Sequence, residues 1–150
     1  MDRPHPKLWR DFATAIGVSE ASFADTVSMP ATQVLIKLFE GICRERPVTE
    51  AVAALYAYEA QIPEIAEKKI AGLRRFYGVT APKGLAYFTV HLEADKLHRA
   101  AWRAWLERSA KRGWSNTAAT LETANDVLDA LWAFLDSVRG VPGKTEVSAV

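Results

Sequence analysis

Apolar side chains recur at helical spacing along nearly the whole chain, and this periodicity constrains the fold more than any single motif. Leu8, Trp9, Phe12 and Ile16 share one helix face, and Val34, Leu35, Leu38, Phe39 and Ile42 share another. Strand-like alternation is absent, as are the Asn-Gly and Asp-Gly pairs that close β-hairpins. An all-α fold is therefore expected. Proline and glycine punctuate it. Gly17 follows the first helical stretch, and Ser19 can cap a short helix reaching Ser22 or Phe23. Pro30 suits the first turn of a helix running to about Arg46. Pro47 separates this helix from one through AVAALYAYEAQI, and Pro63 predicts a kink or break before the pattern resumes and stops at Gly78. A long helix then runs from Pro82 to Gly113. Ser115 or Asn116 opens the last one, which ends at Gly140. Residues 1–140 are read as one helical domain and 141–150 as a disordered tail.

The length of 150 residues suits a single core. Lys+Arg 19 against Asp+Glu 18 leaves a formal charge of +1, which gives no support to a nucleic-acid or anionic-membrane partner. The basic pairs Lys68–Lys69, Arg74–Arg75 and Lys111–Arg112 read as solvated helix faces. Cys43 is the only cysteine, so no intrachain disulfide can form and no CxxC or zinc-ribbon spacing exists. The start, MDRPHPKLWRDF, has prolines and charges where a signal peptide needs an apolar run, and no apolar stretch is long enough to span a bilayer. A cytoplasmic location is expected.

The chemistry is concentrated in His91-x-x-x-Asp95-x-x-His98. Helical residues advance by about 100°, so offsets of four and seven stay within about 60° of the first side chain. Three metal-competent groups thus project from one stripe of one helix. Glu59 closes an apolar run rich in alanine and tyrosine. If it faces inward, it needs a cation or hydrogen bonds, because an unpaired buried charge is too costly. Carboxylates and imidazoles from facing helices are the usual means by which a helical bundle holds two metal ions, and oxygen and nitrogen donors together suit iron or manganese. Two plainer readings also fit the pattern: a solvated polar stripe with intrahelical pairs, and a satisfied core network without metal.

Three segments, HPKLWRDFATAIGV, ALYAYEAQIPEIAEKKIAGLRRFYGV and LAYFTVHLEADKLHRAAW, resemble successive parts of one family. It is the heme-oxygenase-like di-metal oxidases, within the wider group of thiaminase-II-like and pyrroloquinoline-quinone-synthesis-C-like proteins. The branch most similar to this chain is that of the chlamydial death-domain-associating proteins, linked to folate metabolism. The resemblance implies a helical bundle that holds two iron ions, or iron with manganese, and activates O₂. It implies that His5, Glu59, His91, Asp95 and His98 are metal ligands. It further implies that Tyr58 and Tyr87 line the site and that Lys69 supplies an amino group to a para-aminobenzoate ring made from a tyrosine of the protein itself.

Members of this family carry helices ahead of the segment that begins at His5, with a further glutamate ligand and the tyrosine that is consumed. The chain is accordingly expected to be a heme-oxygenase-like bundle lacking its first helices, with an exposed apolar patch and a tendency to self-associate, as a homodimer or more loosely. The leading functional expectation is a metal-dependent oxidase in para-aminobenzoate or related cofactor synthesis, acting on a small molecule or a self-derived tyrosine. The alternatives are a cofactorless oxidase like pyrroloquinoline quinone synthase and a non-catalytic helical interaction module.

Overall fold

The computed structural model describes residues 4–23 and 26–140. Among these it has six α-helices: α1 His5–Ala15, α2 Pro30–Glu45, α3 Val48–Glu59, α4 Ile62–Tyr77, α5 Pro82–Lys111 and α6 Thr117–Arg139. A short 3-10 turn, Glu20–Phe23, follows α1, and no strand is present among the described residues. The expected tail, 141–150, lies outside the described residues.

The boundaries have local causes. Prolines sit in the first turn of α1, α2, α4 and α5, where the missing N–H would have had no intrahelical acceptor. Pro63 makes a break rather than a kink: α3 ends at Glu59, and α4 begins at Ile62 with Pro63 already inside its first turn. Gly78 stops α4 in the left-handed region at φ 65°, and the Val79 N–H then turns back to the Leu73 carbonyl at 3.1 Å. Asn116, the second of the two expected caps, accepts from the Ala119 N–H at 3.3 Å and opens α6.

Packing makes α5 the central helix, in contact with α1, α3 and α4. α6 packs on α3 and α2, around a core in which Ile42, Ala54 and Val127 are fully enclosed. Burying side chains of that kind stabilises the fold by about 1.5–3 kcal/mol for each larger aliphatic. A polar clamp ties the same three helices together: Arg46 Nη1 donates to Thr123 Oγ1 at 2.7 Å, and Thr123 Oγ1 donates to Glu50 Oε2 at 2.9 Å. The opposite side of α5 faces α1 and α4. There Gly84 lets α1 approach closely, since a Cβ at that position would lie 2.6 Å from the Ala15 Cβ. No helix among the described residues is long and apolar enough to cross a membrane.

Candidate metal centre

Three of the predicted ligands meet. Glu59, Asp95 and His98 each offer a donor atom, and these atoms all lie within 4.8 Å of one another. Asp95 and His98 come from adjacent turns of α5, and Glu59 is the last residue of α3. His98 Nδ1 lies 3.0 Å from Asp95 Oδ1 and 3.3 Å from Glu59 Oε2. Asp95 is buried at 3% exposure, so its carboxylate depends on such partners for the solvation it has lost. The His98 ring is half exposed and forms the outer edge of the cluster.

His91 stands apart from that trio and pairs instead with His5. Their ring centroids are 4.9 Å apart, edge to face, so α1 and α5 together present two imidazoles. His91 Nδ1 is 2.7 Å from the Tyr87 carbonyl oxygen, which can only accept. The ring therefore donates from Nδ1, and Nε2 is the nitrogen left for a cation. The five implied ligands are thus resolved into a two-carboxylate, one-histidine cluster and a histidine pair.

Both groups open on one cavity of about 380 Å³. His5, Tyr58, Glu59, Lys69, Tyr87, His91, Asp95 and His98 all line it. The rest of the wall is mostly apolar, with Trp9, Ile62, Ile65, Ala66, Phe88 and Phe134. Ring contacts stiffen it: Trp9 meets Tyr87 at 4.9 Å, and Tyr87 meets His91 at 4.3 Å. Burial raises the Tyr58 phenol above its ordinary pKa, and the charges of Asp95 and Glu59 raise it further. Burial likewise raises the Tyr87 phenol, followed by the effects of Tyr58 and Asp95. Both phenols therefore keep their protons well above neutral pH. Lys69 Nζ sits 5.8 Å from the Phe88 ring centroid.

Sequence reasoning passed over two kinds of residue. Trp102 donates its indole N–H to Glu59 Oε2 at 2.8 Å. It lies four residues beyond His98 and seven beyond Asp95, so extending the same stripe by one turn would have found it. Phe134 reaches the cavity from α6, and nothing in its local sequence signals this.

The donor chemistry fits iron. Two carboxylates and an imidazole are hard and borderline ligands, and they converge on a cavity whose remaining wall is mostly apolar. Comparisons with known proteins agree. A family model described as "iron-containing redox enzyme" matches residues 1–136. A 4-aminobenzoate synthase of Nitrosomonas europaea is 39% identical over 138 residues, covering 92% of this chain and 56% of the relative. One of Chlamydia pneumoniae is 41% identical over 133 residues, covering 89% of this chain and 58% of the relative. A pyrroloquinoline-quinone synthase of Rhizobium meliloti is 30% identical over 134 residues, covering 88% and 51%. The chain thus spans a little over half the length of the curated relatives it matches. With an all-α bundle, a Glu/Asp/His cluster and a family match over nearly its full length, the chain belongs to the heme-oxygenase-like iron-containing redox enzymes.

Proposed function

We propose that this chain carries the metal site of an O₂-dependent oxidase that makes 4-aminobenzoate. The observation that carries this reading is the single cavity shared by both imidazole and carboxylate groups, two phenols and one lysine. The names of the more similar relatives support the product. Glu59, Asp95 and His98 would hold one ion, and His5 and His91 would contribute to a second, as iron or iron with manganese. When bound, these ions supply the one-electron chemistry that spin-paired organic groups lack toward O₂.

The chain's own residues prepare the reaction. Asp95 and Glu59 bring negative charge that favours a cation over water in the cavity. Trp9, Phe88 and Phe134 line the cavity with apolar surface, which lowers the local polarity and strengthens electrostatic interactions beside it. Tyr58 and Tyr87 hold phenolic protons at the wall, available to be donated at their hydroxyl oxygens. Lys69 presents an amine at the same cavity and is the candidate source of the product's nitrogen. The ring would come from a small molecule or from a tyrosine of the protein.

The test is anaerobic purification, loading with Fe(II), exposure to O₂ with reductant, and mass spectrometry for 4-aminobenzoate. Retained iron and product that vanishes in both Asp95→Asn and Lys69→Ala are expected. Unchanged yield in Lys69→Ala would remove the amine assignment, and a protein that retains no iron would overturn the reading. A cofactorless oxidase like the pyrroloquinoline-quinone synthases is the competing reading favoured by the 30% match, and it predicts oxygen chemistry without bound iron.

A further inference from the structure

We infer that Trp102 is a positioning residue for the metal centre, acting through the Glu59 carboxylate. This inference rests on the metal reading above. The indole Nε1–H donates to Glu59 Oε2 at 2.8 Å, a short bond to a charged acceptor. The same oxygen lies 3.3 Å from His98 Nδ1, whose hydrogen bond goes to Asp95 Oδ1 at 3.0 Å, so the indole is the donor that orients Oε2. Glu59 is the last residue of α3, with only two residues before α4 begins. A glutamate side chain has three torsions to fix, and at a helix end the partners that order its carboxylate come from a neighbouring helix.

Trp102 supplies that order from α5, the helix that also carries Asp95 and His98. The rigid indole thus ties the orientation of the third ligand to the helix bearing the other two. Arg99 reinforces this link one turn closer, where its Nη1 donates to the Ala60 carbonyl at 2.9 Å and to Glu64 Oε1 at 2.9 Å. That contact fixes the backbone immediately after Glu59, while the Trp102 contact fixes the carboxylate itself. Partners that orient a ligating carboxylate typically change metal affinity by roughly 10–100-fold when removed.

The experiment uses the full chain and Co(II) as a spectroscopic stand-in for Fe(II). Trp102→Phe removes the N–H and keeps an aromatic ring. It is expected to weaken Co(II) binding by roughly 10–100-fold and to alter the Co(II) absorption bands, with helicity by circular dichroism unchanged. In a Glu59→Gln background the same substitution should cause little further loss, because the two changes act on one ligand. Equal loss in both backgrounds would mean that Trp102 acts by packing alone and would overturn the inference, as would unchanged affinity and bands. If Trp102→Phe does not fold, benzothienylalanine at position 102 keeps the indole shape without the N–H and replaces it in the same measurements.

A metal-free readout separates this inference from the metal reading. One indole N–H resonance of the apo protein should shift upfield on Glu59→Gln and disappear in Trp102→Phe. A Trp102 resonance indifferent to Glu59→Gln overturns the positioning role. Absence of Co(II) uptake by the unsubstituted protein, with the shift present, overturns the metal reading and leaves only a helix–helix tie, so that the inference falls with it.

Discussion

Arg99 and Glu64 illustrate how a surface ion pair can serve the site. The guanidinium joins the end of α3 to the start of α4, and the hydrogen bond from Arg99 holds the Glu64 carboxyl below the ordinary carboxylate range. Its folded pKa therefore lies below its unfolded one. The stability contributed by the pair is present at neutral pH and is lost as the pH falls through the folded value, when the native carboxylate takes up its proton. The effect is modest because both side chains reach solvent. Urea midpoints measured between pH 7 and pH 3 should fall less steeply for Glu64→Gln than for the unsubstituted chain. An unchanged slope would remove the pair from the acid response.

At the scale of elements, the approach of α1 to α5 decides whether His5 reaches His91. Gly84 makes that approach possible, with Ala15 and Val79 where its side chain would be. Replacing a helical glycine by alanine ordinarily gains about 1 kcal/mol from propensity. Here the new Cβ would sit 2.6 Å from the Ala15 Cβ, which is fixed to its own helix and cannot rotate away. Overpacking of that kind costs about 1–3 kcal/mol, so the clash wins. Gly84→Ala should lower the melting temperature and move α1 away, weakening the His5–His91 ring contact. Calorimetry together with imidazole chemical shifts checks both, and a more stable variant would show that α1 is free to retreat.

For the whole molecule, the two sides of α5 and α6 differ. Their inner faces build the core and the cavity, while Leu97 at 74% and Trp132 at 65% stand exposed, with Leu135 one turn beyond Trp132. Where exposed apolar side chains adjoin, as Trp132 and Leu135 do one turn apart on α6, they favour association. Sedimentation should give a weight-average mass that rises with concentration above that of one chain, and Trp132→Lys with Leu135→Lys should suppress the rise. A mass that stays at one chain across the range would discount these faces as contacts, and with them the proposal of a homodimer.

Periodicity along the chain was sufficient to determine the helices, because a helix needs only local spacing and its stops need only proline and glycine. The stripe His91, Asp95 and His98 was legible for the same reason, since residues on one helix share a fixed angular relation. What tertiary structure decided is everything that joins residues far apart in sequence. It put Glu59 with Asp95 and His98, set His91 with His5 instead, brought Phe134 to the cavity, and gave Glu59 its partner in Trp102. Those choices depend on how helices cross and how closely they approach, which packing sets collectively and no local pattern encodes.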